Sequence, residues 1–334
     1  MNSSISSSER GAGESAAAAA RGFVLAFAAA ACGLALAVWS CFIALDPYDR
    51  GFGLISRPGT LETGPRSAHV SRARDPRFNA AIIGNSHTQL LSPARLDRAA
   101  DLQFVQLSVP GTGPREQAAM LDWLLSRNLA VKAVVLGVDA EWCQPDPAFP
   151  LLNPFPFWLY SPRLSSYLSG VFRFDAIDAS LKRLGYLLGR AKPLPADGYW
   201  DYVQRWPGKP GAFAANPKLA GVEIQFGADG KQPGGDKLAS TLAVLPPDTL
   251  AIVLIPPVWS QAMPKTGSAN ARAERSCASA LQKAALARPK TVFLDWRRDH
   301  QALRDPASFW DTTHYGHPVA ELIEREIAAA AANR

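Results

Sequence analysis

The stretch AAIIGNSHTQLL, Ala80 to Leu91, carries an unbroken apolar run into Gly84 and then sets Ser86 beside His87. Ala80 to Ile83 shows no alternation with polar residues, which is how a strand buried on both faces of a parallel sheet reads. Four other runs are built in the same way: LQFVQLSV (102 to 109), VKAVVLGV (131 to 138), LAIVLIPP (250 to 257) and TVFLDW (291 to 296). Helical patterns lie among them, clearest in PREQAAMLDWLLSRN (114 to 128), in ANARAERSCASALQKAALA (269 to 287) and in PVAELIEREIAAAAA near the C-terminus. Alternating strand and helix specify an α/β fold with a doubly wound, mostly parallel, five-stranded sheet.

The N-terminal residues are of another kind. A Ser/Ala/Gly-rich lead ends at Arg21, and GFVLAFAAAACGLALAVWSCFIAL, Gly22 to Leu45, follows without a charge. A run of that length suits one helix across a bilayer core about 30 Å thick. A cleavable signal has a shorter apolar region and small residues at the cut, which Ala35 and Ala37 offer, but the apolar run continues through Trp39, Phe42 and Ile43. An uncleaved single-pass anchor is the favoured reading. Arg10 and Arg21 before the span, with Asp46 and Asp49 after it, predict a cytoplasmic N-terminus and a main domain outside the cytoplasm; Glu9, Glu14 and Arg50 reduce that bias.

The chain therefore divides into a disordered cytoplasmic tail (1–21), an anchor (22–45), a Gly-, Pro-, Ser- and Arg-rich linker or irregular cover (46–77) and an α/β domain (78–334). An insertion, about 142–249, separates the third strand from the fourth. It holds the aromatic PAFPLLNPFPFWLYSPRLSSYL (147 to 168), a helical pattern at 176–189 and the Gly-rich DGYWDYVQRWPGKPGAF (197 to 213). Aromatics beside a sheet's active edge can cradle a sugar or a lipid chain, but packing on the domain as a satellite cluster is the expected role.

The net charge of +6 is spread without a Lys/Arg run or interleaved aromatics, which speaks against a nucleic-acid partner. Cys32 and Cys41 fall in the span. Cys143 and Cys277 fall in the domain, where an oxidising compartment permits a disulfide and two separate buried thiols are the equal alternative. No CxxC or Cys/His cluster marks a metal site, and no cofactor is called for.

Ligands of a doubly wound sheet gather outside the carboxyl ends of its strands. Ser86 sits there, either as a helix N-cap or as a nucleophile at a positive helix N-terminus, with Gly84 giving the turn its freedom. A nucleophile needs a base, and the base needs an orienting carboxylate. FWDTTHYGHP supplies both as Asp311 and His314, three residues apart before the last helix; His317, followed by Pro318, reads as structural. Donors for an oxyanion are expected from the Ser86 amide and from Gly111 in VPGTG, which can equally be an ordinary turn glycine. Asp139 in GVDAEW belongs to the same edge, and His87 and Trp142 are weaker candidates for substrate contact.

Taken in order, GNSH, VPGTG, GVD and DTTH, each after a strand, resemble the motif blocks of the SGNH (GDSL-like) hydrolase and acyltransferase superfamily. The resemblance runs from roughly Asn79 to the C-terminus, apart from the insertion. The anchored layout is more loosely similar to SGNH-type proteins of bacterial surface-polysaccharide modification, including alginate O-acetylation proteins. The resemblance implies a flavodoxin-like three-layer sandwich, Ser86 attacking an ester carbonyl, His314 taking its proton, Asp311 orienting His314, and the Ser86 and Gly111 amides holding the oxyanion. It further implies a domain facing the periplasm from the inner membrane. The substrate would be an acylated glycan or other surface ester, and a transferase would need a partner membrane protein for acyl delivery.

The sequence departs from the family pattern twice. Asn85 stands where Asp is common, and Asp139 stands where an oxyanion-hole Asn is usual. An ionised carboxylate only accepts hydrogen bonds and repels an oxyanion. Asp139 therefore points elsewhere, is protonated, or belongs to a site with changed chemistry. That departure and the aromatic insertion favour a second reading, a non-catalytic subunit for polysaccharide binding or assembly. A metal phosphoesterase lacks a matching carboxylate/histidine ligand set.

Overall fold

A computed structural model of the chain describes residues 7–54, 58–59, 64–190, 196–220, 222–226 and 232–332. The five apolar runs are the strands β1 (Ala80–Ile83), β2 (Phe104–Gln106), β3 (Ala133–Gly137), β4 (Leu250–Ile255) and β5 (Thr291–Asp295). The sheet is wholly parallel, in the order β2-β1-β3-β4-β5. The chain moves from β1 to one side and then returns to the other for β3, so the switch point, where such folds bind ligands, lies at the ends of β1 and β3.

Both faces of β1, β3 and β4 are covered, which explains their lack of alternation; β5, at the edge, is half-buried along its length. Ala81, Ile83, Val134, Leu136 and Val253 enter one core, while Ala80, Ile82, Val135, Ile252 and Leu254 enter the other. Full burial of an Ile or Val side chain contributes about 1.5–3 kcal/mol. Besides α1 (Ser7–Leu45), the helices that matter here are α2 (Pro65–Ala73), α3 (Pro93–Ala100), α4 (Pro114–Arg127), α5 (Leu164–Val171), α6 (Phe174–Leu187), α7 (Pro233–Leu242), α8 (Ala269–Leu286) and α9 (His317–Ala332). α4, α7 and α8 cover the first core, with α2 beside them; α3 and α9 cover the second. α3 was not expected from the sequence, although Ser92 caps it by accepting from the Arg95 N–H and Pro93 opens its first turn.

α1 begins at Ser7, well before the apolar run, so residues 7–21 are helical where a disordered tail is expected. The run Ala16–Ala20 is the strongest of helix formers and extends the helix backwards. The rest of that tail, residues 1–6, lies outside the described residues. Ser15–Leu45 is long and apolar enough to cross a membrane, a test that a signal sequence also passes. Its last turns are not free: Phe42 is buried, and Trp39 Nε1 donates to the Leu168 carbonyl at 3.3 Å.

Residues 46–54 and 64–77 form a packed cover. Asp46 accepts from the Gly51 and Phe52 amides at 2.6 and 3.1 Å. Asp49 accepts from Ser71 Oγ at 2.6 Å and pairs with Arg74 at 2.8 Å. Burial raises the Asp49 carboxyl, against the lowering effect of these partners. The Arg50 guanidinium lies over the Trp123 and Tyr167 rings.

The insertion is helical in large part, and α7 within it packs beside α8 as a layer helix. Residues near its middle close the outer edge of the sheet: the Gln106 N–H donates to the Asp197 carbonyl at 2.7 Å. A Cβ at Gly198, whose φ is +73°, would lie 2.4 Å from the Gln106 oxygen, so this edge cover requires glycine. Of the two states open to Cys143 and Cys277, the structure has the disulfide, which ties the loop after β3 to α8.

Candidate active site

β1 ends at Ile83, and Gly84 leads into a single 3-10 turn, Ser86–Thr88. Gly84 is required for space and not for a left-handed φ: a Cβ there would meet Thr88 Oγ1 at 2.3 Å. The cap of this turn is Asn85, whose Oδ1 accepts from the His87 N–H at 3.0 Å. Ser86 is thereby released from the capping role that its position suggested. Its hydroxyl Oγ lies 2.9 Å from His314 Nε2.

His314 comes from the far end of the chain. Phe309 and Tyr315, both wholly buried, form an antiparallel bridge that closes the loop carrying DTTH. Asp311 Oδ2 lies 2.8 Å from His314 Nδ1. Asp311 Oδ1 accepts from the Thr313 and His314 amides, each at 2.8 Å, so the carboxylate fixes both its own loop and the imidazole. Burial alone would raise the Asp311 carboxyl. The bond and charge of His314 and the two amides outweigh it and hold the group well below the usual carboxylate range.

The turn after β2 is bound to the Ser86 turn through one oxygen: the Val109 N–H and Thr112 Oγ1 both donate to the Gly84 carbonyl, at 2.9 and 3.3 Å. Gly111 has φ +63°, as the turn reading of this glycine requires, and a Cβ there would meet Asn153 Nδ2 at 2.5 Å. Among the described residues, neither the Ser86 nor the Gly111 N–H is used in a hydrogen bond.

Asp139 lies after β3, beside the same turn, and is buried. Its Oδ2 accepts from Asn85 Nδ2 and lies 2.7 Å from His87 Nδ1, while Oδ1 accepts from the Glu141 N–H at 3.3 Å. Asn85 and Asp139 thus meet in a single hydrogen bond, from the amide at 85 to the carboxylate at 139. Two carboxylates at these positions would repel. Burial raises the Asp139 carboxyl, but hydrogen bonds from Glu141 and His87 and the charges of His87 and Arg297 hold it well below the usual range. Glu141 moves the other way, pushed up by burial and by the neighbouring Asp139 charge, so of the two carboxyls Asp139 is the ionised one.

His87 is accordingly neither a free surface group nor a helix-face residue: it is held by Asp139, and its ring lies 4.8 Å from that of His314. Trp142 does not line the site. It is wholly buried and donates from Nε1 to Gln117 Oε1 at 3.0 Å, because the turn after Asp139 directs it into the core under α4. His317 lies 3.2 Å from Asp201, at the start of α9.

The insertion supplies side chains that sequence reading placed in a satellite cluster. Trp206 meets the His314 ring edge-on at 5.0 Å, Tyr202 does so at 5.7 Å, and Trp310 packs on Trp206 at 6.1 Å. Tyr202 is fixed by donating to the Tyr315 carbonyl at 2.7 Å, while Trp206 and Trp310 stay half-buried beside His314 and its loop. The signal for Tyr202 and Trp206 was the density of aromatics in DGYWDYVQRW, while Trp310 belongs to the DTTH loop.

No family model matches the chain, and no curated protein does. Among solved structures, a protein from Streptococcus pneumonia provisionally called a platelet activating factor is similar at 12% identity, with 80% of this chain and 90% of that one covered and a TM-score of 0.37. That likeness is too distant to bear on the chemistry of this chain.

Proposed function

We propose that the chain is an SGNH-type serine esterase or O-acyltransferase, anchored by α1 in the inner membrane with the α/β domain outside the cytoplasm. The observation that carries this reading is the continuous contact Ser86 Oγ–His314 Nε2–His314 Nδ1–Asp311 Oδ2, at 2.9 and 2.8 Å across residues far apart in the chain. In the first step Ser86 Oγ attacks an ester carbonyl and its proton passes to His314 Nε2. Asp311 holds Nδ1–H and stabilises the imidazolium. The unengaged amides of Ser86 and Gly111 receive the oxyanion. The leaving alcohol takes the proton from His314, and the acyl group stays on Ser86 until water, or the hydroxyl of an acceptor, removes it.

Half-buried Trp206 and Trp310 beside His314 and its loop favour an acylated glycan, whose C–H faces pack on aromatic rings. The Cys143–Cys277 disulfide fits an extracytoplasmic domain, since disulfides persist in oxidising compartments. A transferase of this design would receive its acyl group from a partner membrane protein, because α1 is a single span. Engagement of Asp139 with Asn85 and His87 supports the catalytic reading over a non-catalytic subunit, because the ionised carboxylate has its own donors.

The test is hydrolysis of p-nitrophenyl acetate by the purified full-length chain, wild type against Ser86→Ala. Turnover lost with Ser86→Ala is the expected result. Turnover equal in the two proteins would exclude Ser86 as the nucleophile.

A further inference from the structure

We propose that the exposed face of α6, together with the groove between α5 and α1, is a docking surface for the bilayer that α1 enters; this rests on the anchor reading of α1. Phe174, Ile177, Leu181, Leu184 and Leu188 recur at helical spacing along and just beyond α6. They are 90%, 46%, 65%, 41% and 55% exposed, whereas Ala176, Ala179, Ser180 and Arg183 on the opposite side are buried against the domain. Single exposed apolar residues are ordinary, but a continuous stripe of large ones is a contact surface awaiting its partner.

The position of α1 identifies that partner. Arg183 Nε of α6 donates to the Leu45 carbonyl at the end of α1 at 3.4 Å, and Trp39 Nε1 donates to Leu168 of α5. Both helices are therefore fastened to the part of α1 that leaves the lipid. Between α1 and α5 an apolar groove of about 490 Å³ is lined by Cys32, Leu36, Leu168 and Phe172, among others. A bilayer core needs about 20 residues of helix, which, counted from Gly22 after the charge of Arg21, brings α1 out of the lipid near Cys41, about one turn beyond the groove. Phe172, which lines the groove, thus stands just inside the level where α1 emerges, and the α6 stripe starts two residues further on. Trp39 is the aromatic residue expected at that interface. An amphipathic helix fastened there rests with its apolar face about 5–10 Å into the headgroup–acyl boundary.

The docked element is also linked to the catalytic edge. Tyr160, next to α5, donates to the Arg66 carbonyl at 2.9 Å, and Arg66 donates to the Pro110 carbonyl at 2.7 Å, one residue before Gly111. Docking therefore holds the Ser86 edge at a set height over the lipid, suited to esters presented at the membrane surface.

The test uses the full-length chain with Cys32→Ala and Cys41→Ala, reconstituted in phosphatidylcholine/phosphatidylglycerol vesicles containing no other protein. An environment-sensitive fluorophore is attached through Leu181→Cys or, in a second protein, through Phe174→Cys. Ala28→Cys reports the span, and Gln282→Cys, exposed on α8 away from α1 and α6, is the aqueous control. Blue-shifted emission at 174 and 181, quenched by lipids brominated in their acyl chains, with water-like emission at 282, is the expected result. Water-like, unquenched emission at 174 and 181 while position 28 is quenched overturns the docking surface and leaves the anchor intact. Emission that shifts only after a second membrane protein is added gives this face to a protein partner and also overturns the proposal. Water-like emission at position 28 refutes the anchor itself, and with it any docking that depends on α1.

Discussion

Two histidine–aspartate pairs face each other across a single ring contact, and they differ in what lies beyond the histidine. His314, held by Asp311, has its second nitrogen on Ser86 Oγ. His87, held by the more deeply buried Asp139, has no hydrogen-bond partner for Nε2 among the described residues. Both carboxyls are held well below their ordinary value of 3.8, so ionisation does not distinguish the pairs. An imidazole–carboxylate pair is common chemistry; its role is set by the group in reach of the remaining nitrogen.

That contrast is most sharply tested by removing the groups that only the first pair serves. Ser86→Ala and His314→Ala should each lower kcat/KM for a small ester by about 10⁴-fold or more, since members of such a unit fail together. Next, Asp311→Asn should cost about 10²–10⁴-fold in kcat with little change in KM, because the orientation and charge of the imidazole are lost and binding is not. Asp139→Ala should act mainly on stability, by about 1–3 kcal/mol, since it leaves the Asn85 amide and the His87 ring without their acceptor. Thermal unfolding against turnover separates the pairs: a loss of turnover by Asp139→Ala as large as that of Asp311→Asn would make them equivalent.

The smallest effect is in the acid limb of stability. The unfolded chain binds protons at Asp139 and Asp311 more readily than the folded one, so stability rises with pH in that range. Their contribution is present above about pH 4 and is lost as pH falls further towards the depressed folded values. Asp139→Asn should flatten that fall in a melting-temperature series from pH 7 to about pH 3, and an unchanged slope would contradict the ionised, engaged state of Asp139.

β1, β3 and β4 were legible because burial on both faces leaves no room for polar residues, β2 and the half-buried β5 from their short apolar runs, and the DTTH block from its spacing and its place before the last helix. The boundary of α1 was not, because apolar content marks a span while helix propensity decides where a helix begins. Trp142 was misread because a residue two or three positions past a strand end can turn outwards or into the core, and only the packing under α4 settles which. Asp139 posed a conflict when it was read alone; its resolution needs Asn85 and His87, more than fifty residues earlier in the chain. Asn85 itself was readable as a cap, since its side chain reaches the amide two residues on, a habit of Asn in turns. Trp206 beside His314 depends on a contact between the insertion and the C-terminal loop that no local pattern encodes.

The most direct measurement is the site of fluorophosphonate labelling, mapped by peptide mass spectrometry on the full-length protein. It also reaches a transferase that excludes water, because the reagent needs only an activated serine. The expected result is one adduct on Ser86, absent in Ser86→Ala, strongly slowed in His314→Ala and nearly unchanged in rate in His87→Ala. No adduct on Ser86, or equal rates in wild type and His314→Ala, would contradict a nucleophile activated by His314.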